Sequence, residues 1–223
     1  MAQFPPIPKE AMDVFEKVNT GMVIDALAMS GIQGGVIGIH PIRGFEDAKV
    51  VGRAATVQFA PPRADTPKLS MYGVARTASN GTVLVVDADG IPGHVVGDNV
   101  AECARRAGVQ GIVVYGGVRD VTGLREAGLP IYASAGLTTR QPNNMTITAQ
   151  DIPVTIGGAL IRPGDVVFAD EDGVVVIPAG ALDQMLENMK TIFEVEEGMS
   201  RAIKSDAPVE EIVSILSKKR QKK

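Results

Sequence analysis

The sequence predicts an α/β fold. It reads as one domain over residues 1–223, with a βαβ core, a β-rich second half and a long C-terminal helix. Three observations predict it. Short apolar runs at 82–87, 111–115 and 131–135 alternate with segments of helical spacing. Residues 140–178 read as strand after strand with Pro and Gly turns. Residues 179–205 carry an extended helical pattern.

Each element follows from its residues. Over 10–31, Val14, Val18, Met22, Ala26 and Met29 recur at intervals of three to four, the period of a buried helix face, and Gly31 is a stop. Thr20-Gly21 interrupts the pattern, so the stretch is one helix or two, the second opening with Thr20 as N-cap. Gly34, Gly35 and Gly38 make a loop. A β-rich run at 49–59 precedes a helical segment at 69–79, and Gly81 turns the chain into strand 82–87. The loop ADGIPGHVVGD (88–98) leads to a helix over 99–107, which Gly108 stops. Strand 111–115, helix 121–127 and strand 131–135 complete the core. The β-rich runs 145–156, 165–169 and 173–177 follow, with Asp170-Glu171-Asp172-Gly173 as the hairpin turn between the last two. The basic end, about 217–223, reads as a frayed, solvated tail.

Composition narrows the function. Apolar residues at 45% and charged residues at 22% describe a soluble globular protein. A net charge of −4 gives no reason to expect nucleic-acid binding. One cysteine, Cys103, excludes an intrachain disulfide, and with two histidines it cannot build a zinc cluster. MAQFPPIPKE lacks the basic and apolar blocks of a signal peptide, and no window approaches the roughly 18 apolar residues of a membrane span. The expectation is a cytoplasmic protein without a membrane partner.

Three polar clusters stand at predicted strand ends: Asp87-Ala88-Asp89-Gly90, Gly97-Asp98-Asn99 and Gly116-Gly117-Val118-Arg119-Asp120. Ligands of open α/β sheets bind beyond the carboxyl ends of strands, so all three can converge. The glycine-rich loop ends at a helix N-terminus, where free N–H groups seat an anion; the plainer reading is a helix cap with turn glycines. Arg119 next to Asp120 is either a surface ion pair or a site that takes an anion on Arg119 and a cation on Asp120. Arginine suits a carboxylate through its fork, and one aspartate with waters suits Mg²⁺. The two preceding glycines favour a ligand close to the backbone. His94 lies in the glycine loop as a candidate substrate contact, whereas His40 precedes a proline and reads as structural. Neither Asp87-x-Asp89 nor Asp170–Gly173 has EF-hand spacing, and Gly34-Gly35-Val36-Ile37-Gly38 is not a dinucleotide motif.

Gly97-Asp98, then GVQGIVVYGGVRDVTGL (108–124), then IRPGDVVFADEDGVVVIP (161–178) resemble the 4-hydroxy-4-methyl-2-oxoglutarate aldolase family, which also holds the RraA-like regulators of ribonuclease E activity. The resemblance runs from about Val23 to the C-terminal helix. It implies an αββα sandwich, assembled as a homotrimer or hexamer with active sites between subunits. It implies a class II aldolase that uses Mg²⁺ or Mn²⁺, releases pyruvate from 4-hydroxy-2-oxo acids and decarboxylates oxaloacetate. By the same resemblance Arg119 grips substrate, Asp120 holds the metal and Asp98 is the further catalytic acid. His94, Val96, Gly97, Asp98 and Asn99 surround the pyruvate carboxylate, and Asp25 and Glu197, with Glu194 and Glu196 beside it as alternatives, reach the metal waters of an adjacent subunit. The loop 92–96 lacks the aromatic bulk of many family aldolases, which bears on substrate choice. The ribonuclease regulators lack the aspartate of the Arg-Asp pair, so Asp120 favours an enzyme over a regulatory binding protein. A lyase acting on another 2-oxo or sugar acid is the nearer alternative.

Overall fold

A computed structural model describes residues 1–91, 93–136 and 144–220. Pro92 of the glycine loop and residues 221–223 of the basic tail lie outside the described residues. The chain opens with α1 (Lys9–Phe15) and α2 (Thr20–Ala28). Two short strands follow, β1 (Gly35–Val36) and β2 (His40–Pro41), then the long β3 (Val50–Ala60). The core continues as α3 (Met71–Thr77), β4 (Thr82–Asp87), β5 (His94–Val96), α4 (Asp98–Arg106), β6 (Gly111–Val118), α5 (Val121–Ala127) and β7 (Ile131–Gly136). The second half holds β8 (Thr146–Gln150), β9 (Val154–Ile156), β10 (Ala159–Ile161), β11 (Val166–Asp170) and β12 (Gly173–Ile177). Two helices end it, α6 (Leu182–Lys204) and α7 (Val209–Leu216).

The main sheet runs β1-β12-β11-β3-β4-β6-β7-β2. β3, β4, β6 and β7 are mutually parallel, and β11 and β12 are antiparallel. β1 edges one end of this order and β2 the other, yet only residues 37–39 separate them. A span of four residues reaches at most about 14 Å, so the sheet curls until its ends nearly meet. Its two halves therefore face each other.

Side-chain alternation shows the layers. In β4, Leu84 and Val86 pack toward α3, α4 and α5, while Val83 and Val85 point into the core between the sheet halves. In β12, Val174 and Val176 enter that same central core, while Val175 and Ile177 pack on the α1, α2 and α6 side. Strands buried on both faces read as continuous apolar runs, which is why TVLVVD and GVVVI lack polar alternation. Helices, sheet, sheet, helices is the expected αββα sandwich.

Several local expectations need correction. The first helical stretch is two helices, and Asn19, not Thr20, is the cap: its Oδ1 accepts from the Met22 N–H at 2.9 Å. Thr20 is buried instead, and its N–H and hydroxyl donate to Asp170 at 2.7 and 2.8 Å. Lys49 closes α1 by donating to the Val18 carbonyl at 2.8 Å and to those of Phe15 and Glu16. The run 145–156 breaks into β8 and β9 at Asp151, which is left-handed at φ 57°. The 88–98 loop contains β5, paired in parallel with the end of β6. At the start of the tail, Ser217–Lys219 form a 3-10 turn. Glu171-Asp172 does form the expected two-residue hairpin turn, with Asp170 paired to Gly173. No helix among the described residues is long and apolar enough to cross a membrane.

Candidate active site

β4, β5 and β6 run parallel and end on one side of the sheet. β5 delivers the chain to Gly97, the extended N-cap of α4, so Asp98 is the first helical residue. β6 delivers it to Arg119 and to Asp120, the N-cap of α5. The two segments are tied together, since the Arg119 N–H donates to the Val96 carbonyl at 3.1 Å. Two aspartates thus stand at the heads of adjacent helices. They open on one cleft of about 310 Å³, with His94, Gly97, Asn99 and Arg119 also on its wall.

Asp120 has φ 60° and ψ 42°, left-handed backbone that side-chain-bearing residues rarely adopt. Its carboxylate makes no cap bond to the helix. Oδ2 instead forms an ion pair with Arg119 Nε at 3.0 Å, with both side chains about half exposed in the cleft. Strained backbone tends to be kept where it aims a functional group. Asp98 Oδ1 accepts from the Asn99 N–H at 2.6 Å.

Three expected features fall elsewhere. Val96 is fully buried in the core and its side chain is not on the cleft wall. Asp87 lies outside the cleft wall; it is buried at the end of β4, and burial pushes its carboxyl up from the ordinary aspartate range. Gly116 and Gly117 do not open room for a ligand. They are buried in β6 at its irregular pairing with β7, and a Cβ on Gly116 would lie 2.9 Å from Ala88 Cβ.

The acids expected from a neighbouring subunit lie on the α2/α6 side. Asp25 and Glu196 line a second cleft of about 580 Å³. Lys219 Nζ donates to both carboxylates at 2.6 Å. Glu197 is one residue out of phase and meets Arg201 at 3.4 Å. The sequence did not single out Glu196, because a helix with acids at 194, 196 and 197 does not reveal which one faces Asp25. It also missed the far wall of the first cleft, where Phe59, Leu69, Met71, Thr146 and Ile147 come from three distant segments. No cluster of three or more His, Cys, Asp or Glu side chains that could hold a metal occurs among the described residues.

Comparison with known proteins places the chain among its relatives. A family model described as RraA-like, Aldolase/RraA, matches residues 20–176. A protein of Halalkalibacterium halodurans with the provisional name 4-hydroxy-4-methyl-2-oxoglutarate aldolase is 34% identical over 190 residues, covering 85% of this chain and 86% of that one. Protein DlpA of Legionella pneumophila is 31% identical over 86% of this chain, which spans only 31% of DlpA. The solved structure of Streptomyces coelicolor RraAS2, described as an unusual member of the RNase ES inhibitor RraA family, superposes with a TM-score of 0.78 at 31% identity, covering 89% of this chain and 99% of that one. With the layer order and the match over residues 20–176 in agreement, the chain belongs to the RraA-like (Aldolase/RraA) family.

Proposed function

We propose that the chain is a metal-dependent lyase that cleaves a 4-hydroxy-2-oxo acid, such as 4-hydroxy-4-methyl-2-oxoglutarate, to pyruvate. Oxaloacetate decarboxylation is its second reaction. The observation that carries this reading is one cleft holding the Arg119 fork, the strained Asp120 carboxylate and Asp98. The aldolase name of the H. halodurans relative supports it.

The donor set offered to a metal is the Asp120 carboxylate oxygen, with no cysteine among the described residues of the cleft wall. Such a set fits a hard cation that keeps most of its waters, Mg²⁺ or Mn²⁺, with Asp120 as its protein ligand. The ion supplies Lewis-acid stabilisation of negative charge on the 2-oxo oxygen. Arg119 binds the substrate carboxylate and 2-oxo oxygen through its planar fork. Asp98 orients a water that takes the proton of the 4-hydroxyl. As that proton leaves, C4 gains its carbonyl, the C3–C4 bond breaks and its electron pair becomes the enolate of pyruvate. Arg119 offsets the charge as it develops, which is where catalysis gains most. The water that took the 4-hydroxyl proton returns one to C3, which completes pyruvate. Loss of CO₂ from oxaloacetate gives the same enolate, so one site serves both reactions.

The family resemblance supports a site between subunits of a homotrimer or hexamer, with Asp25 and the acidic turn at Glu196 and Glu197 offered to a neighbour. The test is pyruvate release from a panel of 4-hydroxy-2-oxo acids and oxaloacetate, with Mg²⁺, with Mn²⁺ and in EDTA. Metal-dependent release that Asp120→Ala abolishes is expected. Undiminished release in EDTA, or from the Asp120→Ala variant, sinks the proposal. The likeness to RraAS2 favours one other reading, a regulatory binding protein. Inhibition of a ribonuclease without pyruvate release from any substrate would select it.

A further inference from the structure

The glycines that make room in this cleft are not the pair before Arg119. Gly123 lies in the first turn of α5. A Cβ built on it would stand 2.5 Å from Asp98 Oδ2, 2.7 Å from Asp98 Cβ and 3.0 Å from Asp98 Cγ. Gly97, the residue before α4, shows the reciprocal relation: its Cβ would stand 2.9 Å from Asp120 Oδ2. Each aspartate at the head of one helix is seated where a glycine of the other segment leaves out a side chain.

We infer that Gly123 and Gly97 are positioning residues of this site, Gly123 for the Asp98 carboxylate and Gly97 for the Asp120 carboxylate. The inference rests on the aldolase reading for the roles of the two acids, and on the structure alone for the contacts. Local preference does not explain Gly123. It needs no positive φ, and a helical position of this kind favours alanine. What alanine would meet is the root of the Asp98 side chain as well as its tip. Rotation of the carboxyl cannot relieve a clash at Cβ, so the whole side chain must shift. At Gly97 the clash is with the carboxylate tip alone, but the left-handed backbone of Asp120 fixes where that tip can start. Displacement of a reacting group by about 1 Å costs up to about 10²-fold in rate.

The experiment uses the full chain in its native assembly and reads two quantities. Gly123→Ala is expected to lower kcat by about 10²-fold with KM and the Mn²⁺ Kd, measured by electron paramagnetic resonance, unchanged. Gly97→Ala is expected to raise the Mn²⁺ Kd by about tenfold. Gly180→Ala, where a Cβ meets nothing within 4 Å, is the control and changes neither. Because a misfolded variant would also be slow, Gly123→Ala is repeated in an Asp98→Ala background. A positioning glycine adds no further loss there; an equal loss in both backgrounds overturns the inference, as does wild-type kcat in Gly123→Ala. Wild-type protein that binds Mn²⁺ but releases no pyruvate defeats the aldolase reading alone. The inference is then decided by the Gly97→Ala Kd, and an unchanged Kd overturns it.

Discussion

Asp120 combines two properties that pull in opposite directions. Its carboxylate belongs to the cleft, and its backbone sits at φ 60°, where a Cβ crowds the following carbonyl at a cost of about 1–2 kcal/mol. Aspartate tolerates this conformation better than alanine, and glycine tolerates it freely. Asp120→Gly is therefore expected to be more stable than Asp120→Ala by about 1 kcal/mol, read as a higher Tm, while both lose metal-dependent pyruvate release. Equal stability of the two variants would mean that the backbone relaxes once the carboxylate is gone. Arg119 carries a separate prediction. Its Nε already pairs with Asp120, which leaves the rest of the fork for the proposed substrate. Arg119→Lys keeps the charge but loses the bidentate geometry, and a lost charged hydrogen bond is worth about 1.5–3 kcal/mol. That is about 10- to 10²-fold in kcat/KM; a change under twofold would show that Arg119 serves only as a point charge.

At the scale of elements, the C-terminal segment is loosely attached. α7 buries no residue, and Val209, Val213 and Leu216 are exposed. It leans on α6 where Ile215 packs over Gly198, and the turn after it is fastened by Lys219 between Asp25 and Glu196. Burial lowers the Lys219 pKa, but the hydrogen bonds to the two carboxylates outweigh it and hold the ammonium above the ordinary lysine value. The sign follows: the contact contributes fully at neutral pH and is lost only as pH rises through the raised value. Both acids are partly solvated, so the stabilisation is of the order of 0.2–1 kcal/mol. Lys219→Gln is expected to speed amide exchange over 209–220 while α6 keeps its protection. Unchanged exchange there would show that Ile215 alone holds the segment. This fastening was invisible in the sequence, where the tail reads only as basic. The long core strands, the hairpin turn and α6 were legible, because continuous apolar runs and helical periodicity survive burial on both faces. β1 and β2 were not, since two residues carry no period, and their role is set by which strands they meet. The Asn19 cap was missed because Thr20 is an equally good cap by type. Only its burial against Asp170 removes it from that role.

For the whole molecule, the layer order decides what one chain can do alone. The Arg119–Asp120 cleft opens at the heads of α4 and α5, in the outer layer on one side of the curled sheet. Asp25 and Glu196 belong to α2 and α6, in the outer layer on the other side. Two packed sheet layers lie between them, about 10 Å apart from face to face, and the helix layers add to that distance. The two sets of acids therefore cannot meet within one chain. If both act in one reaction, the second set comes from another copy. A complementation experiment follows. Asp120→Ala and Glu196→Ala, each inactive alone, are co-expressed with different tags and isolated as mixed oligomers. Some interfaces then join an intact Asp120 cleft to an intact Asp25–Glu196 pair, and activity is expected to return in the mixed species only. Full activity of Glu196→Ala by itself, or mixed oligomers as inactive as their parents, would show that each cleft works without its neighbour. Success would also give Lys219 a second meaning. Its ammonium holds the very carboxylates that a neighbouring cleft would use, so the fastening of the tail and the completion of the site would draw on the same two side chains.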